Sequence, residues 1–352
     1  MYTADYIIVG QGLAGTAIAQ QLHFANKSYV IIDELDPHQA SRIASGIWNP
    51  VVLKRMKKVW LADAMLASLR NFYLQSEKLL NVKLESPLKV NRLFNDAEEA
   101  NKWIEHCDNA LFAEILNPKI THAKNSFVIN SAGLGEVKTS GRIDTEKWLA
   151  SARAWFLNQS NLREEKFNHC DLALTQDFVR YNDITAKGII FCEGMHAAHQ
   201  NPFFSWLPFA LTKGEVLVIK SKDLRLNKII NGGVFILPLG EDFYKVGATY
   251  AWNTIKTNTT PEARVELLSK LKKFISSPFE VVDQQVGIRP TIKDRRPLLG
   301  THPTHKNVHI FNGMGSRGVL MAPYLSEVFV NHLLHNAELP EEADIQRFIK
   351  NF

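Results

Sequence analysis

The chain has 352 residues, 45% of them hydrophobic and 22% charged, the balance of an ordinary soluble globular protein with material for about two domains. No apolar run approaches the roughly 18 residues a membrane span needs, and a net charge of +5 is too mild at this length to mark a nucleic-acid-binding protein by itself. The three cysteines, Cys107, Cys170 and Cys192, have neither metal nor redox spacing, so no metal site is expected and the thiols read as structural ones in a reducing, cytoplasmic setting.

The first element is the most informative. Tyr6 to Val9 form a short apolar run, too short for a signal peptide and of the kind that makes a strand buried on both faces of a parallel sheet. Gly10, Gly12 and Gly15 follow as G-x-G-x-x-G, and Ala14, Ala17, Ile18 and Leu22 then recur at helical spacing. Asn26 stands just past the helix, where a left-handed residue is tolerated. A second apolar strand, Tyr29 to Ile32, ends on Asp33 and Glu34.

This is a complete βαβ unit with the chemistry of dinucleotide binding. Gly10 permits the tight turn, Gly12 lets backbone approach a pyrophosphate, and Gly15 lets helix pack on strand. The helix N-terminus at Leu13 and Ala14 offers free N–H groups to the phosphates. Asp33 is expected to accept a ribose hydroxyl and to repel a 2′-phosphate, which favours FAD or NAD over NADP.

Next comes a segment of small and polar residues, Ser41 to Pro50. Ala44, Ser45 and Gly46 allow close approach to a flat ligand, and Arg42 and Ser45 can reach phosphates. The basic run Lys54, Arg55, Lys57 and Lys58 reads first as a solvated face. Helical spacing covers residues 61–80, and Asp96 to Cys107 opens another helix with an acidic first turn.

Val128 to Gly141 is glycine-rich, and a helix starts at Asp144 or Thr145. Ile189 to Cys192 reads as a buried strand running into Gly194, as if the opening parallel sheet were being resumed. Gly233 to Leu239 and Tyr244 to Tyr250 then suggest a β-hairpin about Gly240, Glu241 and Asp242. A helix over Pro261 to Ile275 has Thr260 as N-cap and Pro261 at its first position.

Near the C-terminus the opening logic returns. Val308 to Phe311 is a strand, Gly313, Gly315 and Gly318 with Ser316 form a glycine-rich turn, and a helix begins at Val319 with its N-terminus free to face an anion or a flavin carbonyl. No repeat, low-complexity tract or linker divides the chain, so its two domains are expected to interleave.

Taken together, these motifs resemble the D-amino-acid oxidase and glycine oxidase group of FAD-dependent amine oxidoreductases. The resemblance rests on the Gly10–Gly15 turn, ASGI at Ala44 to Ile47, IIFCEG at Ile189 to Gly194, KGEVLVI at Lys213 to Ile219, VGATY at Val246 to Tyr250, GIRP and DRRPLLG between Gly287 and Gly300, and GSRGVLMAP between Gly315 and Pro323. It implies an α/β fold with two parts: an FAD-binding Rossmann-like domain with a parallel sheet, and an α+β substrate domain with a mostly antiparallel sheet. Residues 1–80, 141–200 and 285–352 are expected in the first, 81–140 and 201–284 in the second.

The resemblance also implies noncovalent FAD, since no cysteine accompanies Arg289 or Gly315. It carries a substrate-carboxylate role onto Arg289 of GIRP and a helping role onto Arg317 of GSRG. Two guanidiniums suit a carboxylate because each can bind it bidentately and stays charged. Where glycine-oxidase-like members place a tyrosine near the start of the hairpin, this chain has Phe235, so Tyr250 or Tyr244 is the candidate hydroxyl.

The expected reaction is oxidation of the C–N bond of an amino acid or N-substituted amino acid by hydride transfer to flavin N5, with O2 or a quinone as electron acceptor. Two other outcomes stay open: a tRNA-modifying flavoenzyme acting on a carboxymethylaminomethyl group, and a flavin-binding protein without turnover.

Overall fold

The computed structural model describes residues 2–36, 38–252 and 254–352. Its opening strand, Tyr2–Val9, buries Tyr6, Ile7, Ile8 and Val9 in succession because alternate side chains serve two cores. Tyr6 and Ile8 pack with Ala17, Ile18 and Phe329 on one face, while Ile7 and Val9 pack with Phe191 and Val308 on the other. A strand covered on both sides has to be apolar throughout, the pattern of a parallel sheet under helices.

Tyr2–Val9 pairs in parallel with Tyr29–Ile32 on one side and Ile184–Phe191 on the other. Leu162–Arg163 extends the sheet past Tyr29–Ile32, and Val308–Asn312 runs parallel to Ile184–Phe191. Antiparallel strands Leu172–Leu174, Val179–Tyr181 and Leu298–Thr301 complete eight strands among the described residues. Outside the carboxyl ends of the central strands lies the crevice where such sheets bind ligands.

The second large sheet is almost wholly antiparallel. Its order is Ala251–Trp252, Thr212–Lys220, Phe243–Gly247, Phe235–Gly240, Ile229–Asn231, Val90–Leu93 and Leu134–Val137, with Glu280–Arg289 also paired to Thr212–Lys220. Only Ile229–Asn231 and Val90–Leu93 run parallel. One face carries Leu217, Ile219, Ile236 and Val246 beneath Leu267, Leu271 and Phe274 of the segment that starts with the helix Pro261–Leu271. Thr260 caps that helix through its side chain, which accepts the Ala263 N–H at 3.3 Å.

Three boundaries differ from the sequence reading, each because a distant partner prevails over local pattern. The hairpin's second strand stops at Gly247, and the chain resumes as Ala251–Trp252 against Thr212 and Lys213. The helix from Pro261 ends at Leu271, since Ile275 bridges Val128. Within the glycine-rich stretch, Leu134–Val137 is a strand held by Val90–Leu93. Among the described residues no helix is long and apolar enough to cross a membrane.

Candidate functional site

A cavity of about 920 Å³ runs from the first sheet's carboxyl ends to the inner face of the second sheet. That is near the top of the range of roughly 300–1,000 Å³ for small-molecule sites. At one end stand Gly10, Gly12, Leu13, Ala14, Asp33 and Glu34; at the other stand Arg289 and Arg317. Ala44, Ser45, Gly46, Gly194, Gly315, Ser316, Gly318 and Val319 also line the cavity.

The first end is built by backbone. Gly10 turns the chain with φ +97° and is held by its N–H donating to the Ile32 carbonyl at 2.9 Å. Its own carbonyl oxygen sits 1.8 Å from where a Cβ on Gly15 would lie, so strand and helix meet only because residue 15 has no side chain. At the start of the helix Leu13–Phe24, the Leu13 N–H donates to Ser41 Oγ at 3.1 Å. Ser41 thus stands at the helix N-terminus, the place where a glycine turn of this kind meets a phosphate.

Asp33 is almost fully buried. Its Oδ1 accepts the Gln11 N–H at 2.7 Å, and its Oδ2 accepts Nη1 of Arg153 at 2.6 Å. Arg153, on the helix Thr145–Asn158, also donates to Glu164 Oε1 from Nε at 3.0 Å and to Gln11 Oε1 at 3.2 Å. Gln39 Nε2 also donates to Oδ1, at 3.3 Å, so the carboxylate is fixed in orientation and Oδ2 keeps a lone pair for a further donor. Neither Ser41 nor Arg153 was singled out in the sequence reading; Ser41 borders the motif segment, whereas Arg153 stands 120 residues from Asp33 with no local signal.

Three expected cofactor residues stand behind the wall instead of on it. Gly15 serves the strand–helix contact just described. Gly313 has φ +77° and donates its N–H to Asn312 Oδ1 at 2.8 Å. Arg42 has its Nε and Nη2 buried without a hydrogen-bond partner among the described residues.

At the other end Arg289 closes the strand Glu280–Arg289, opposite Thr212. Its guanidinium lies directly over Gly214, where an added Cβ would be 2.0 Å from Nη2. Its hydrogen bonds are long, 3.5 Å from each Nη to the Thr249 carbonyl. Arg317, at the N-cap of the helix Gly318–His335, donates from Nη1 to the Asn49 carbonyl at 3.4 Å. Burial lowers both arginines from their ordinary values, and no carboxylate among the described residues pairs with either. A guanidinium stays charged in proteins, so two desolvated, unpaired cations face one chamber and an anion there offsets their cost.

Tyr250 is placed differently from the sequence reading. It is 46% exposed and off the cavity wall, with its ring 5.2 Å from the Arg289 guanidinium carbon and edge-on to Trp252 at 5.1 Å. The reason is the strand break after Gly247, which turns residue 250 outward. Tyr244 is buried on the sheet's other face. Phe235 does line the chamber, so an apolar ring stands near the hairpin's start.

These features fit FAD. A glycine turn, a helix N-terminus and a fixed acid make one end suited to the adenosine diphosphate part, and a second helix N-terminus at Gly318 meets the same cavity. Cys192 also lines the wall, at the Gly10 end, and burial pushes its thiol well up. It is therefore no ready thiolate.

A family model described as FAD dependent oxidoreductase matches residues 5–331. The tRNA 5-methylaminomethyl-2-thiouridine biosynthesis bifunctional protein MnmC of Marinobacter nauticus is 21% identical over 391 residues, covering 99% of this chain and 59% of that protein. The uncharacterized oxidoreductase YurR of Bacillus subtilis is 23% identical, covering 91% of this chain and 92% of its own length. The glycine oxidase of Geobacillus kaustophilus superposes with a TM-score of 0.80 at 19% identity, covering 99% and 98% of the two chains. The chain spans between 23% and 59% of the length of the bifunctional relatives it matches.

Proposed function

The chain belongs to the FAD dependent oxidoreductase family, and from that premise we propose that it oxidises the C–N bond of an amino acid or N-substituted amino acid. The observation that carries this reading is the pair of desolvated, unpaired guanidiniums of Arg289 and Arg317 on one chamber wall. A carboxylate satisfies both, and bidentate binding fixes its plane as well as its position.

Gly10, Gly12 to Ala14, Asp33, Glu34, Ser41, Ala44 to Gly46, Gly315, Ser316, Gly318 and Val319 would hold FAD, noncovalently. When bound, FAD supplies a two-electron oxidation by accepting a hydride at flavin N5. The arginines contribute positioning: with the carboxylate clamped, the carbon beside the amine has one place to be. Tyr250, outside the chamber, acts on Arg289 by lying against its guanidinium at 5.2 Å. The apolar side of the chamber, including Phe235 and Val216, excludes water from the amine.

The test is anaerobic mixing of the yellow protein with a panel of amines and amino acids, following loss of the flavin absorbance band. Carboxylate-bearing amines are expected to bleach it. Arg289→Leu should keep its FAD and weaken these substrates at least tenfold, since a charged hydrogen bond is worth about 1.5–3 kcal/mol. Unchanged kinetics in that variant removes Arg289 from the mechanism.

A second reading has its own observation. Tyr250 and Trp252, 46% and 44% exposed, stand between Arg289 and Arg295, whose guanidinium carbon lies 5.5 Å from the Trp252 ring. Exposed aromatics interleaved with arginines suit the stacking of unpaired RNA bases, and several relatives carry tRNA in their names. On this reading the oxidised amine is a carboxymethylaminomethyl group on RNA. Salt-sensitive tRNA binding together with no bleaching by free amino acids would select it.

A further inference from the structure

The antiparallel sheet presents a regular grid to the chamber. Val216 pairs with Gly247, Gly247 with Phe235, and Phe235 with Asn231, so these four share one transverse row on one face. Ile229 and Val90, a pair in register, belong to the next row on that face. All six line the cavity. Arg289 lies over Gly214, which precedes Val216 by two positions on the same strand and therefore faces the same way.

The grid sets a length. Three strand spacings of about 4.8 Å and one two-residue step of about 6.8 Å give about 16 Å from Gly214 to Asn231 along the wall. A free amino acid spans roughly 4 Å from carboxylate oxygen to amine by standard bond lengths. Held by Arg289, it reaches about a quarter of the way.

The rest of the wall is apolar until its end. Asn231 is half-buried, and its carboxamide makes no side-chain hydrogen bond among the described residues, although it can give two and accept two. Beyond it in the same row stands Arg92, and exposed Gly233 has no heavy atom within 4 Å of the position a Cβ would take, so the wall opens to solvent at this end. An apolar channel with a charged anchor at one end and an unused amide at the other is larger than any simple amino acid requires.

We propose that Asn231 is a specificity-determining residue, and that the chamber takes an amino acid whose amine carries an extended substituent, apolar along its length and ending in an amide-like donor and acceptor that Asn231 reads. This rests on Arg289 holding the carboxylate and adds what lies at the other end of the molecule.

The test uses the FAD-loaded protein and acids that cannot be oxidised, with sulfur in place of the amine, measured by titration calorimetry. Three probes suffice: methylthioacetate, a thioether acid whose arm fills the remaining roughly 12 Å of wall and ends in a carboxamide, and its twin ending in a methyl group. The carboxamide-ended acid is expected to bind at least tenfold tighter than methylthioacetate and at least threefold tighter than its twin. In Asn231→Leu, and independently in Asn231→Ala, the ratio between the twins should fall to one; FAD content identifies folded variants.

Long acids that bind no better than methylthioacetate, or a preference for the carboxamide that survives in both variants, overturn the proposal while leaving the carboxylate reading intact. If methylthioacetate itself fails to bind and Arg289→Leu leaves the bleaching kinetics unchanged, the carboxylate reading falls and this inference with it.

Discussion

The two ends of the cavity are built on opposite electrostatic plans. At the glycine-turn end the buried charge is matched: Asp33 is joined to Arg153 at 2.6 Å, Arg153 is joined to Glu164 at 2.9 Å, and Gln11 bonds both members of the first pair. At the chamber end the hydrogen bonds of Arg289 and Arg317 among the described residues are long ones to carbonyl oxygens, and neither has a carboxylate partner there. A matched pair holds its shape with nothing bound, whereas unmatched cations are stable because the surrounding fold leaves them no alternative. Changes at the first end should therefore be felt in folding and cofactor retention, and changes at the second in what binds beside the cofactor.

The severest test of that division is Gly15→Ala. Its Cβ would sit 1.8 Å from the Gly10 carbonyl oxygen, backbone against side chain with no rotamer to relieve it. We expect loss of retained FAD and of the cooperative melt, read from the flavin absorbance per protein after gel filtration and from thermal unfolding. A variant that keeps both would refute the claim that this contact organises the cofactor end.

Arg153→Met comes next. Removing one partner of a buried pair costs about 3–5 kcal/mol because the other charge is stranded. The melting temperature should fall sharply, and Asp33→Asn in the same chain should restore part of it. A double-mutant cycle without that coupling would mean the pair is not matched in the sense argued.

Gly214→Ala addresses the chamber end. Its Cβ would lie 2.0 Å from Arg289 Nη2, the tip of a flexible side chain, so the guanidinium moves and the fold survives. FAD should be retained and the affinity for carboxylate substrates should fall at least tenfold, the loss of about one charged hydrogen bond. Loss of FAD in this variant would erase the contrast between the ends.

The smallest effect is in pH. His309 is buried with Nδ1 2.9 Å from Thr301 Oγ1, and burial holds it at about 3, below its ordinary 6.5. The unfolded chain takes up a proton below pH 6.5 and the folded chain does not, so this stability is complete above 6.5 and declines by about 1.4 kcal/mol per unit as pH falls toward 3. His309→Gln should flatten the fall in melting temperature between neutral and mildly acidic buffer, without altering substrate affinity.

What could be read from the sequence follows the reach of each interaction. The Gly10–Gly15 turn is visible because its contacts lie within six residues, and the caps at Thr260 and Asp144 because each accepts an N–H three residues on. The mixed architecture was legible in the change from continuous apolar runs to a hairpin. Arg153 was not, because its partner is 120 residues away and an arginine in a helix reads as a solvated one. Asn231 escaped for a related reason: its place in the chamber depends on register across four strands, and register is set by the whole sheet. Tyr250 stands off the cavity wall because the strand ends at Gly247, an end that nothing local in the sequence marks.

The arginine pair has a kinetic consequence. On the proposed reading, oxidation at the amine leaves the carboxylate untouched, so Arg289 and Arg317 grip product as firmly as substrate. The clamp that positions the substrate for reaction also slows the product's release. The ceiling on turnover then lies with departure of the product acid, and a weaker clamp would trade affinity for speed.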